Sequence, residues 1–548
     1  MNRLPTPFPT VAMEGDYNPA IRLFGLRFIK DQTIVEHLAE LLAVVFSEKR
    51  IFIDEASREP LPSFGDLAKW AHSENAPLKY RPSIRLNLKL FSFMTCSPVD
   101  KRHEIHKEQY ELLAEQLQSR LQSRSSSLEK SEVRERLEEL LQGFQGAGFT
   151  RNWCAQTFYP ISPEVLTQET VWNETTARRN DVSTWRASIN EFDKYYSTRR
   201  RNFLARGGEV IYLQLCNAFA TEQRLIDGFL RSSGQFFSQE ERDLRSLHGS
   251  LNEGLAGLYD GHTRPLGNLI RYIDEELDED TFKEVNEGQK DRQLTCQWCP
   301  RESWPEGYLF AVEMKRVVTA GIDLIDKLDL MMTGCALHIL RSLCAQSARY
   351  TMAEADSTGP LGFAWLFVSP DSATRQQRMA SQRNLQAVQG MLQRALRIEA
   401  LRDYVERGSP NKVERQYREA DSKYGHGLFL SLGKSLGIIV PKQGRGARLV
   451  MTDNVVRYLV LALLRPGERC TYDEFLDRLY FHYGIAVEGE QLRQAMTWSG
   501  LLANDSVQPR KPSWLNHMLK ASGFLTELSD GCSVVQNPFD STQGGRVQ

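Results

Sequence analysis

The chain has 548 residues, too many for one hydrophobic core of ordinary size, and at roughly 100–200 residues per domain it should divide into three or four units. Its 68 Lys and Arg against 70 Asp and Glu give a net charge of −2, which excludes a uniformly basic protein and makes any nucleic-acid surface a matter of local charge segregation. Nine cysteines, scattered from Cys96 to Cys532, exclude a small disulfide scaffold and fit reduced thiols or a metal site.

The expected fold class is mainly α with α+β parts, multidomain, ending in tandem winged-helix-like units. The N-terminus MNRLPTPFPTVAMEGDYNP lacks a basic segment followed by an apolar one, and no apolar run reaches about 18 residues, so neither signal peptide nor membrane span is expected and a soluble, cytoplasmic protein is. Residues 1–100 form an α+β unit: 34–46 carries helical apolar spacing, KRIFID reads as a strand, and the strict alternation of Ile84, Leu86, Leu88 and Leu90 predicts a half-buried strand.

Residues 101–150 predict a charged helical hairpin or arm, broken at 123–132, with Leu112, Leu113, Leu117 and Leu121 on one helix and Leu137, Leu140 and Leu141 on the other. Residues 151–285 make a helical middle domain. There Arg199, Arg200 and Arg201 precede a Gly207-Gly208 turn and the strand-like 210–215; such a cluster can bind phosphate, and a solvated helix end explains it as well. Residues 290–408 follow an acidic linker-like stretch. They hold core helices at 310–350, a buried strand in LGFAWLFVSP, and a helix at 373–407 with Arg375, Arg378, Arg383, Arg394, Arg397 and Arg402. That helix is either a DNA-facing connector or a solvated bridge between domains.

The tail repeats itself. LGKSLGIIVPKQGRGARLVMT, from Leu432, aligns with MLKASGFLTELSDGCSVVQNP, from Met518: Lys434 with Lys520, Gly437 with Gly523, Ile438-Ile439 with Phe524-Leu525, and the Gly444 turn with Asp530-Gly531. Each copy reads helix, glycine, strand, polar turn, strand. A glycine past the last helical turn takes positive φ and ends the helix, and the polar turn closes a two-stranded hairpin that must pack on that helix. Thr471 and Glu474 match a capping box opening another amphipathic helix. Residues 410–452 and 453–540 thus resemble two winged-helix units, with 541–548 a disordered tail.

Only the first unit is basic. Residues 410–450 hold eight Lys or Arg against three Asp or Glu, while the second hairpin carries Glu527 and Asp530. Lys423, Lys434, Lys442, Arg445 and Arg448 are therefore the candidate DNA-binding residues beside Arg199, Arg200 and Arg201. The helix at 424–436 would approach the major groove and the hairpin cations the backbone or minor groove. A winged helix is equally a protein–protein module, and the acidic second unit suits a protein partner.

A structural zinc ion is a second candidate. Cys296 and Cys299 form a CxxC, and Cys335 and His338, three apart, share one helix face, giving four ligands of the type tetrahedral zinc prefers. Inert buried thiols and a satisfied core histidine are the alternative. Cys96, His103 and His106 make a weaker cluster.

No phosphate loop, GxSxG elbow, HExxH or kinase motif set occurs, and Asp323, Asp326 and Asp329 read as a polar helix face before a two-metal site. The segments GYLFAVEMKRVVTAGIDLIDKL and CALHILRSLCAQSARY, with the ending HMLKASGFLTELSDGCSVVQNPF, resemble proteins encoded in multi-gene bacterial anti-phage clusters, most of all a component of the methylation-associated defence systems. The resemblance implies a bacterial cytosolic protein working beside a DNA methyltransferase, an ATPase and nuclease effectors; it assigns no site residue. Together these readings predict a non-catalytic accessory subunit that binds duplex DNA through its C-terminal winged helix. The alternatives are a protein-binding scaffold subunit or a nuclease effector with a dispersed metal site.

Overall fold

The structure, a computed structural model, describes residues 3–10, 17–52, 56–94, 104–120, 129–143, 145–147, 153–197, 206–231, 233–260, 264–289, 292–352, 358–529 and 532–540. It is mainly α-helical, with small sheets of two to four strands. At its centre the helix Leu324–Thr351 packs on the helices Trp304–Val318, Ile34–Val45, Asp453–Leu463 and Arg375–Ala395. One buried apolar cluster runs from Phe8 to Val535, so both ends of the chain share a core. Leu324–Thr351 is the one described helix long and apolar enough to cross a membrane, and its most apolar window is 89% buried inside the protein.

A buried ionic hub ties two of these helices, Trp304–Val318 and Leu324–Thr351, to a third, Tyr472–Tyr483. Glu313 receives Arg341 Nη1 at 2.6 Å, His482 Nδ1 at 2.8 Å and the Tyr483 hydroxyl at 2.7 Å, all fully enclosed. Burial opposes the charge on Glu313, but Arg341 and His482 outweigh it and hold its carboxyl down at about 2. Burial pulls the His482 imidazole down to about 4, so it sits neutral with its proton on Nδ1. Removing either partner would strand a charge in the core, which costs more than the pair itself contributes.

Two expected strands are helices. Leu86–Met94 is α-helical although its polar residues alternate, because Asn87, Lys89 and Ser92 are buried rather than solvated. The Lys89 ammonium donates to the carbonyls of Cys154 at 3.1 Å and Gln168 at 2.6 Å. Arg85, with φ of 53°, interrupts any extended run before it. Likewise 210–215 belongs to the helix Gly207–Phe219, buried on every side. Gly207 and Gly208 make no turn. They start that helix against Ile34–Val45, where a Cβ on Gly208 would lie 2.4 Å from the Leu41 nitrogen. The Gly207 and Gly208 amides are received by Gln32 and Glu40.

Other elements fall near their expected places. Of KRIFID, Lys49 and Arg50 belong to Glu48–Arg50, an inner strand of a four-stranded sheet, and Ile53 and Asp54 lie outside the described residues. LGFAWLFVSP contributes Trp365–Leu366, parallel to Ile485–Ala486. The arm is the helix pair Glu104–Arg120 and Lys130–Gly143, with Leu113, Leu117 and Leu141 buried and Leu112 and Leu140 exposed.

The repeat in the tail holds in its parts. Helix His426–Ser435 ends at Gly437, φ 83°, before the antiparallel strands Ile439–Val440 and Arg448–Leu449. Helix Trp514–Ala521 ends at Gly523, φ 77°, before Leu525–Ser529 and Cys532–Gln536. In the second copy Arg469–Thr471 adds a strand beside Cys532–Gln536, giving the order first, third, second. Thr471 caps the helix Tyr472–Tyr483 by accepting the Glu474 amide at 3.2 Å; the Glu474 carboxylate goes to Arg478 instead, so the capping box is half formed.

Candidate nucleic-acid interface

The hairpin tip, residues 441–447, is polar and turned outward. Lys442, Gln443, Gly444, Arg445 and Gly446 are all exposed, and Lys442 and Arg445 have no ion-pair partner among the described residues. Gly444 and Gly446 both have positive φ, 91° and 86°, which a side chain would strain. The tip can therefore bend tightly while presenting two long cations.

What holds the tip is the helix Arg375–Ala395. Ser381 Oγ accepts the Leu449 amide at 2.9 Å, and the Gln382 amide reaches the Gly446 carbonyl at 3.4 Å. The same helix is locked from below: Asn384 accepts from the Leu366 amide at 2.9 Å and donates to the Ala364 carbonyl at 3.0 Å and Ser499 Oγ at 2.8 Å. Gln377 closes the capping box with Thr374 and also donates to the Val507 carbonyl at 3.1 Å. Gln377, Ser381 and Asn384 fix the rotation of the helix, and with it the face turned outward.

That outward face is cationic. Residues 372–398 contain five arginines and no Asp or Glu. Arg375, Arg378, Arg383 and Arg394 are exposed, with no ion pair among the described residues; Arg397 is the exception, bidentate to Asp421 at 3.1 and 2.5 Å. Arg375 and Arg378 sit in the first turn, where the helix dipole disfavours cations, so local helix stability does not explain them. The hairpin tip and the helix are both free of acidic residues and meet at Gln382, which brings their cations together.

The other candidate DNA-binding residues divide. Lys423 is paired with Glu419 at 2.8 Å, and that hydrogen bond raises its pKa. Lys434 is half-buried in the last turn of His426–Ser435, a helix whose only exposed residue is Ser435. Arg448 is half-buried in the second strand, its Nε enclosed without a hydrogen-bond partner. Arg199, Arg200 and Arg201 lie outside the described residues, as do Cys96, His103 and the tail 541–548. His106 is buried and accepts the Trp153 indole N–H at 3.2 Å.

The four residues considered for zinc are all buried. Both ring nitrogens of His338 are engaged: Nε2 donates to Gln214 Oε1 at 2.8 Å, Nδ1 accepts from Arg341 at 3.1 Å, and the ring stacks on Phe310 at 4.3 Å. Burial pushes up the thiols of Cys296, Cys299 and Cys335. Cys296 lies beside Glu209 and Cys299 beside Ser303. Among the described residues no three His, Cys, Asp or Glu side chains are grouped to hold a metal ion, and zinc on this set requires His338 to release a partner.

The three helix aspartates have structural partners. Asp323 caps Leu324–Thr351 by accepting the Asp326 amide, Asp326 is bidentate to Arg457 at 2.9 and 2.6 Å, and Asp329 accepts the Tyr159 hydroxyl at 2.7 Å. Comparison with protein-family models, with curated proteins and with solved structures found no match to the chain.

Proposed function

We propose that the protein is a nucleic-acid-binding subunit that grips duplex DNA between the hairpin cations Lys442 and Arg445 and the arginine-bearing face of the helix Arg375–Ala395. The observation that carries this reading is the docking of the Gly446 turn onto Gln382, which joins two acid-poor segments into one continuous surface. Each of the two copies in the tail runs helix, glycine, strand, turn, strand, and on this reading the first one is a winged helix and the DNA-facing unit. The helix Arg375–Ala395 takes the groove-facing place, since His426–Ser435 leaves almost nothing exposed. The subunit contributes binding rather than chemistry. Its setting beside the enzymes of an anti-phage defence system rests on sequence resemblance alone.

Fluorescence anisotropy with a labelled duplex over a salt series tests the reading. Neutralising phosphates releases counterions, so log K should fall linearly with log salt, and Lys442→Ala/Arg445→Ala should reduce that slope by roughly two. Equal binding and equal slope for the two proteins, or no binding by the intact protein at low salt, would overturn it.

A further inference from the structure

We infer that the outward ridge of the helix Arg375–Ala395 reads base edges in the major groove, making the protein sequence-selective for duplex DNA. The inference rests on the nucleic-acid reading above and adds selectivity to it. Arg375, Arg378, Gln382, Gln386, Gln389 and Gln393 follow one another at steps of three or four, so they lie along one face. The ridge is about 27 Å long at 1.5 Å rise per residue.

A helix face made only for water usually mixes Glu with Lys, because opposite charges four apart stabilise it. Here the ridge is glutamine and arginine, with Arg383 and Arg394 beside it and no carboxylate along the helix. Glutamine donates to and accepts from adenine N7 and N6 together, and arginine pairs in the same bidentate way with guanine O6 and N7. Gln382 and Gln393 already donate to Gly446 and His426, so Gln386 and Gln389 are the base-reading pair, and Arg383 and Arg394, off the ridge line, take the phosphates.

Two further features fit a reading surface. Gln386 and Gln389 have no hydrogen-bond partner among the described residues, so their amides are free to pair outward. Gly390 sits mid-helix next to the ridge, where a Cβ would meet nothing nearer than the flexible Arg394 guanidinium at 3.4 Å. A glycine there weakens the helix without relieving any internal crowding, and it bares backbone to a close-approaching ligand. Charge complementarity with a polyanion commits the ridge to DNA.

Selection from a pool of random 20-bp duplexes tests this, comparing intact protein with Gln386→Ala/Gln389→Ala. Gln386 is exposed and Gln389 half-buried, and neither holds a hydrogen bond among the described residues, so the variant should keep its thermal midpoint. The intact protein should enrich a motif with purines at fixed spacing. The variant should keep the salt slope and lose roughly ten-fold or more of the discrimination at the affected steps. Retention of the pool without enrichment, or a variant that enriches the same motif, would overturn the inference while leaving the binding reading intact. Failure of the intact protein to retain any duplex would overturn the binding reading itself, and this inference with it.

Discussion

Gln382 donates its side-chain amide to the Gly446 carbonyl at 3.4 Å, across 64 positions of sequence. The contact is modest, but with Ser381 against Leu449 it seats a flexible glycine tip on a helix whose rotation is fixed from below. The cations on both elements are thereby held in one surface before any ligand arrives.

The seat should depend on Asn384. Asn384→Leu keeps the branching at Cγ but is bulkier and strands the Leu366 amide and the Ala364 carbonyl, each at a cost of roughly 1–3 kcal/mol. Urea unfolding should reveal that loss as a lower midpoint; an unchanged midpoint would mean these groups find other partners.

Glu313→Gln should be far more damaging than any surface change. It leaves the Arg341 guanidinium buried without its counter-charge, for which roughly 3–5 kcal/mol is the expected loss. Denaturant curves of the two proteins at neutral pH would check it, and a difference within about 0.5 kcal/mol, the range of ordinary surface substitutions, would contradict the hub.

Acid should destabilise the fold in two steps. Folded His482 stays neutral down to about 4 and His37 to about 3, whereas unfolded imidazoles charge near 6.5. Their contribution is complete above pH 6.5 and is lost as pH falls toward 4 and 3. Glu313, held at about 2 against 4.5 when unfolded, contributes fully above pH 4.5 and loses that contribution as pH falls toward 2. Thermal midpoints recorded from pH 8 to pH 4 should decline below 6.5; a rise on acidification would contradict the assignment.

Gly208→Ala should separate two helices. Its Cβ would lie 2.4 Å from the Leu41 nitrogen and 2.6 Å from the His37 carbonyl oxygen, and backbone cannot step aside as a flexible side chain would. Overpacking of this kind costs roughly 1–3 kcal/mol. Calorimetry should find a lower transition temperature, and an unchanged one would show that the helices have room.

The tail was the most legible part of the sequence because its signals are local: Gly437 and Gly523 each end a helix with positive φ, and the turn residues close each hairpin. Segment 84–90 was misleading because period two marks solvent only when the polar residues are solvated, and Lys89 is buried against two carbonyls. The Gly207-Gly208 pair looks like a turn in one dimension; its reason is a neighbouring helix far away in the chain. The arginines of 375–394 were visible as an acid-free run, but nothing nearby in sequence announces that Gly446 docks on Gln382. His338 looked available as a ligand for the same reason, since its partner Gln214 lies 124 positions away.

Hydrogen–deuterium exchange with and without a bound duplex tests the proposed DNA grip most directly. Protection should appear in the tip at 442–446 and along the outward side of Arg375–Ala395, and the second hairpin at 525–536 should be unaffected. Protection confined to the second hairpin or to the arm at 104–143, or none at saturating duplex, would contradict it.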